Sequence, residues 1–105
     1  MVPQISPGVA AAWLRDGEAV LLDVREAPEP ELAAVEGATH VAMSTITSRL
    51  SDLQRAQKYA VMCHHGMRSY RVAAFLQQQG FTDVHNVAGG IAAWASDVDP
   101  SVGRY

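Results

Sequence analysis

Apolar residues recur three or four positions apart in several segments of the chain, which is the spacing of one face of an α-helix. The first such segment follows Ser6, a residue suited to cap a helix, and has Pro7 at its first position and Gly17 as its stop. Val9 and Trp13 lie four residues apart and are predicted to share the buried face of this helix.

A second helix is predicted over residues 69–79. Val72, Phe75 and Leu76 fall on one face of this segment, and Gly80 follows it as a typical helix stop. The pattern favours a helix packed on one side against a core.

Two weaker helical patterns complete the set. Residues 44–57 carry Ile46, Leu50 and Leu53 at helical spacing, which predicts a short amphipathic helix. A last helix is predicted to open over residues 91–94, after the glycine pair at positions 89 and 90.

Short apolar runs without alternation lie between these helices, as is typical of strands buried on both faces of a sheet. The predicted strands are residues 19–22, the weaker 39–43, residues 58–62 and residues 83–87. Residues 26–36 carry charge and two prolines, which predicts a loop with at most one helical turn. The alternation of strands and helices indicates an α/β fold with a parallel sheet and helices on both faces.

Length and charge narrow the class of protein. The 105 residues, 49% of them hydrophobic, suffice for one domain with one core. A net charge of −3 without a basic block argues against a nucleic-acid partner. No apolar run approaches the ~20 residues of a membrane span, and the first residues lack the layout of a signal peptide. We therefore expect a cytoplasmic protein without a membrane partner.

The single cysteine, Cys63, stands where the third predicted strand ends and the next helix has not yet begun. Ligands of parallel sheets bind at this edge. Backbone N–H groups in such a loop can converge on an anion, and Gly66 has the backbone freedom for the turn. The helix N-terminus and Arg68 would favour a thiolate, and cysteines in comparable settings have a pKa of roughly 3.5–7.5. The loop thus indicates covalent catalysis through sulfur.

The cysteine and the two histidines of the loop also have less specific interpretations. Cys63 alone is compatible with a small buried apolar residue. His64 and His65 are not predicted to bind a metal, because consecutive residues rarely converge on one ion and a lone cysteine excludes a multi-cysteine zinc site. Electrostatic support or loop filling is the favoured role of both histidines.

Four motifs in order resemble those of the rhodanese-like sulfurtransferases. The loop CHHGMRS resembles the family's active-site loop, and LDVRE at residues 22–26 is similar to its Asp-Val-Arg signature. Residues 35–41 resemble the next motif, and residues 80–94 its characteristic ending. The resemblance covers about residues 5 to 95, so it implies one rhodanese-like domain over residues 1–105 with a short C-terminal tail.

The resemblance implies a five-stranded parallel sheet and a sulfurtransferase without a cofactor. Cys63 would accept sulfane sulfur from a small anionic donor such as thiosulfate and hold it as a persulfide. Cyanide, a thiol or a protein would accept it. The substrate cradle implied by the loop consists of His64, His65, Gly66, Met67, Arg68 and Ser69.

The resemblance implies a specific role for each of three further side chains. Arg68 would anchor the anionic donor. Asp23 and Arg25 would order the loop or contact substrate, and a structural ion pair is the equal alternative. The chain departs from common family residues at Pro28, Pro30, Ala34 and Ala42.

Two other functions compete with sulfur transfer. Phosphatases and arsenate reductases of the same fold class also place a cysteine in an anion cradle, but those phosphatases have Cys-x5-Arg where this chain has Cys-x4-Arg. The third alternative is a non-catalytic interaction or sulfur-carrier module. The presence of both Cys63 and Arg68 favours an enzyme.

Overall fold

Five short strands form one parallel sheet in the computed structural model, which describes all 105 residues. The strands are β1 (Gln4–Ile5), β2 (Val20–Asp23), β3 (Thr39–His40), β4 (Tyr59–Met62) and β5 (Val84–Val87). Their order in the sheet is β1-β5-β4-β2-β3, and every neighbouring pair is parallel. The central strand β4 therefore ends between the ends of β2 and β5.

Helices cover both faces of this sheet, as predicted. They are α1 (Pro7–Arg15), α2 (Glu29–Leu32), α3 (Met67–Gln78) and α4 (Gly90–Asp97). On one face α3 buries Val72 and Leu76 against Leu22 and Val61 of the sheet. On the other face α1 and α4 pack against a second cluster that includes Leu21 and Met62. Consecutive strand residues thus point into different cores, so the central strands are apolar throughout.

The predicted helix over residues 44–57 is wrong. The segment contains two 3-10 turns, Met43–Thr45 and Leu50–Asp52, instead. The hydroxyl of Thr45 donates to the Ala42 carbonyl, and that of Ser48 donates to the Thr45 carbonyl. Such local bonds compete with helical ones. The apolar spacing arises because Ile46 and two further side chains anchor this loop to the core.

The first helix begins with the predicted Ser6 cap, but it buries another face. Val9 is 42% exposed, whereas Pro7 and Ala10 are buried. Trp13 is partly buried, as part of the cluster shared with α4. The small side chain of Ala10 allows α1 to pack closely against the core, whereas a valine at this position would increase the distance between them.

The ends of the chain hold the elements that the sequence pattern missed. β1 pairs with β5 through Gln4 opposite Asn86, yet two residues are too few for a visible apolar run. At the other end, the tail forms a 3-10 turn (Pro100–Val102) and buries Val102. The predicted strand over 39–43 is shorter than expected. None of the helices is long and apolar enough to cross a membrane.

Candidate active site

Cys63 directly follows β4 and lies buried, with 1% of its surface exposed. Its Sγ accepts a hydrogen bond from the backbone N–H of Gly66 at 3.1 Å. The hydroxyl of Ser69 lies 3.3 Å from the same sulfur. Of the residues that the sequence assigned to the site, the structure thus brings Gly66 and Ser69 to the sulfur of Cys63 at the N-terminal end of α3.

The turn of this loop requires a glycine at position 66. Gly66 has φ 102°, in the left-handed region, and caps α3. A Cβ there would approach the Gly89 nitrogen at 3.2 Å and the Val87 carbonyl at 3.4 Å. Both the backbone conformation and the lack of space exclude a larger residue.

Backbone N–H groups at the N-terminus of α4 hydrogen-bond to the cysteine loop. The N–H groups of Ile91 and Ala92 donate to the carbonyls of Cys63 and His64 at 2.9 and 3.1 Å. A Cβ on Gly90 would overlap these same carbonyl groups. Gly90, the first residue of α4, therefore serves backbone geometry, because it allows two backbones to approach closely.

Asn86 connects three parts of the site, and sequence reasoning missed it. It is 1% exposed, and its Nδ2 donates to the carbonyl of Gly66 at 3.0 Å and to Gln4 Oε1 at 2.9 Å. Its Oδ1 accepts from the Ser69 hydroxyl at 2.5 Å. The available signal was a polar amide between the two valines of β5, because a buried amide must find hydrogen-bond partners.

The surroundings of Cys63 favour its ionised form. Burial opposes ionisation, but hydrogen bonds from the Ser69 side chain and from the backbone of Ser69, Gly66 and His65 outweigh it, so the pKa of the thiol lies below its ordinary value. The single Ser69 proton can be given either to Asn86 or to the sulfur. A thiolate is a stronger hydrogen-bond acceptor than a thiol. The Ser69 hydroxyl can therefore donate to the Cys63 sulfur when the thiol ionises.

Arg68 does not contact the sulfur. Its Nη1 and Nη2 donate to the two carboxylate oxygens of Glu29 at 2.7 and 2.8 Å. Hydrogen bonding to Arg68 lowers the pKa of Glu29 to about 2, and burial only partly opposes this shift. The charge expected beside Cys63 is thus paired with Glu29, a residue that the sequence analysis placed in a loop with at most one helical turn.

Asp23 and Arg25 form an enclosed ion pair. Arg25 is fully buried and donates from Nε and Nη2 to the two oxygens of Asp23 at 2.9 and 2.7 Å. Its remaining N–H groups reach the Ala33 carbonyl at 2.8 Å and the Tyr105 hydroxyl at 3.1 Å. Neither residue hydrogen-bonds to the cysteine loop, and the structure shows the alternative of a structural ion pair.

The two histidines form the outer wall of the loop. The rings of His64 and His65 stack at 3.9 Å, and Tyr105 stacks on His64 at the same distance. Burial and the neighbouring His65 lower the pKa of His64, which favours its neutral form. Met67 is 72% exposed beside them. No three His, Cys, Asp or Glu side chains converge on a common point anywhere in the chain.

Comparison with known proteins identifies the fold and its family. Residues 6–97 match the family model described as the rhodanese-like domain. The chain belongs to the rhodanese-like family. The family resemblance and the parallel α/β fold predicted from the sequence are confirmed for this rhodanese-like domain.

Individual relatives agree over most of their length. The Bacillus subtilis protein named "Putative sulfurtransferase YtwF" is 38% identical over 85 residues, 81% of this chain and 82% of that protein. A "Sulfurtransferase" of Allochromatium vinosum is 36% identical over 96 residues, 90% of each. The crystal structure of a rhodanese-related protein from Thermoplasma volcanium matches with a TM-score of 0.83 at 29% identity, over 91% of this chain and 93% of that one.

Proposed function

We propose that this rhodanese-like domain is a sulfurtransferase that carries sulfane sulfur as a persulfide on Cys63. The names of its two relatives support a sulfurtransferase role. The main support for a persulfide is the environment of the buried Cys63 Sγ. It accepts a hydrogen bond from Gly66 N at 3.1 Å and lies 3.3 Å from the Ser69 hydroxyl. These donors stabilise a thiolate and can also hold an anionic sulfur attached to it.

In the first step the Cys63 thiolate attacks the outer sulfur of thiosulfate. The electron pair of Sγ forms the new S–S bond, the bond to the sulfonate sulfur breaks, and its electron pair leaves with sulfite. The backbone N–H groups that stabilise the thiolate are also the donors available to the negative charge on the terminal sulfur of the persulfide.

In the second step an acceptor takes the terminal sulfur. The carbon of cyanide, or the sulfur of a thiolate, attacks it and forms the new bond. The bond between Sγ and the transferred sulfur breaks, and its electron pair regenerates the Cys63 thiolate, which the same hydrogen bonds stabilise. No cofactor is needed, because each step is a nucleophilic displacement at sulfur that consumes no external oxidant or reductant.

Neither alternative function gains support from the site. A phosphatase of this fold class needs a guanidinium that closes around a phosphate, whereas Arg68 is bound to Glu29. An interaction module has no need of a thiol whose pKa is lowered by its hydrogen bonds.

The deciding experiment is the intact mass of the protein after incubation with excess thiosulfate, in the native chain and in Cys63→Ala. We expect a gain of one sulfur atom in the native chain only, removed by cyanide as thiocyanate appears. A native chain that gains no sulfur from thiosulfate or from a persulfide donor would refute the proposal, as would a gain that persists in Cys63→Ala.

A further inference from the structure

Two arginines at this edge of the sheet are already paired with carboxylates. Arg25 is bound to Asp23, and Arg68 is bound to Glu29 through both terminal nitrogens. A bidentate pair leaves little of the guanidinium's charge for a third group. Within residues 63–69 the site thus offers an incoming donor backbone N–H groups, a neutral His64 and one arginine, Arg68, whose charge is already paired.

Glu29 is held firmly in this position. Beyond Arg68, its carboxylate accepts from the Tyr105 hydroxyl at 2.7 Å and from the backbone N–H of Glu26 at 3.3 Å. Its side chain is only 20% exposed. A ligand that needs Arg68 must therefore replace a carboxylate that has other partners to hold it.

This arrangement discriminates between donors by charge. Thiosulfate carries two negative charges and must approach a thiolate, so it depends on a free cation more than a donor with one charge does. A persulfide of a thiol, R–S–S⁻ or R–S–SH, carries at most one negative charge on its sulfane sulfur. It needs no displacement of Glu29 to come within reach of Cys63.

We propose that Glu29 is a specificity-determining residue that disfavours dianionic donors and makes thiol persulfides the preferred donor class; this inference rests on the proposed function. In the preferred reaction the Cys63 thiolate attacks the outer sulfur of R–S–SH. The new Sγ–S bond forms, the S–S bond of the donor breaks, and its electron pair leaves with RS⁻. The proton of the outer sulfur stays with the enzyme persulfide or passes to the released thiolate.

The test compares two donors on three proteins: the native chain, Glu29→Gln and Glu31→Gln. Glutamine keeps the shape of Glu29 but frees the charge of Arg68. Glu31 lies in the same short helix, is exposed and has no side-chain hydrogen bond, so its substitution removes the same charge without touching Arg68. The readout is the single-turnover rate constant for persulfide formation, followed by intact mass.

We expect Glu29→Gln to raise the rate constant with thiosulfate roughly fivefold to twentyfold and to leave that with hydroxyethyl persulfide within about twofold. Glu31→Gln should change both by less than about twofold. An equal change with both donors in Glu29→Gln would overturn the inference, because a merely structural role affects both alike.

A binding measurement separates this inference from the proposed function. Thiosulfate titrated into Cys63→Ala and into the Cys63→Ala/Glu29→Gln double variant, followed by NMR shifts of the loop amides, needs no sulfur transfer. Tighter binding to the double variant supports the role of Glu29 even if no persulfide forms on the native chain. Equal binding contradicts it even if the native chain transfers sulfur.

Discussion

Two arginine–carboxylate pairs lie near the same edge of the sheet and differ in their exposure to solvent. The side chains of Arg25 and Asp23 are 0% and 4% exposed, whereas those of Arg68 and Glu29 are 30% and 20% exposed. A buried charge that loses its partner has no access to water, but a partly exposed one can be rehydrated. The first pair therefore belongs to the fold, and the second can respond to a ligand.

Tyr105 connects the two pairs across the chain. Its hydroxyl accepts a hydrogen bond from Arg25 and donates one to Glu29. The buried pair thus positions the exposed one, although no residue of the buried pair reaches Cys63. Arg25 also donates from Nη1 to the backbone carbonyl of Glu29 at 3.4 Å.

The largest expected effect is on stability, from Arg25→Met. The substitution leaves the Asp23 carboxylate buried without its partner, which costs about 3–5 kcal/mol in the free energy of unfolding. The same substitution at Arg68 leaves Glu29 partly open to water and should cost no more than ~1 kcal/mol. Urea unfolding followed by circular dichroism measures both.

A double variant keeps this prediction testable if Arg25→Met fails to fold. Replacing both partners in Asp23→Leu/Arg25→Met removes the stranded charge and should recover much of the lost stability. Equal losses from Arg25→Met and Arg68→Met would contradict the contrast between the two pairs.

A smaller effect is expected on the acidity of Cys63. Because Glu29 pairs with Arg68, hydrogen bonds set the thiol pKa, and Ser69→Ala should raise it. Because the native pKa is lowered, the loss of this donor moves the onset of thiolate reactivity to higher pH. The rate of alkylation by iodoacetamide against pH gives the midpoint.

The matched comparison is Arg68→Gln, which removes a full charge at a residue adjacent to Ser69. We expect a smaller rise in the thiol pKa than in Ser69→Ala, since the removed charge was already paired. A larger rise would mean that Arg68 acts on Cys63 as a free cation, and the distinction drawn between its charge and the hydrogen bonds would fail.

The parts of the site that could be predicted from the sequence are those encoded within one short segment. The strand before Cys63, Gly66 and the helix after it follow one another within 20 residues, so periodicity and glycine placement locate the loop. The fifth strand followed only from the family resemblance. The false helix over residues 44–57 shows the limit of periodicity, because three anchors under a loop mimic a helical face.

The partners of the loop could not be predicted, because they come from distant parts of the chain. Glu29 lies 39 residues from Arg68, and Tyr105 lies 76 residues from Glu29. Glu29 looked like one acid among several in a proline-containing loop, and Tyr105 like part of a tail. Only the strand order, which sets the ends of β2, β4 and β5 side by side, brings these segments together.

The smallest expected effect is the pH dependence of the Glu29–Arg68 pair. The pKa of Glu29 is lowered to about 2 in the fold from 4.5, so the pair contributes its stability above pH 4.5. That contribution is lost as the pH falls from 4.5 towards 2, because protonation removes the charge that Arg68 binds.

The quantity to measure is the coupling energy from a double-mutant cycle of Glu29→Gln and Arg68→Gln, by urea unfolding at several pH values. We expect a value of no more than ~1 kcal/mol near neutral pH, most of it gone by about pH 3. A coupling that stays constant over this range would mean that something other than the ionised carboxylate holds Arg68. In that case Glu29 would have no charge with which to select a donor, and the exposed pair would be structural like the buried one.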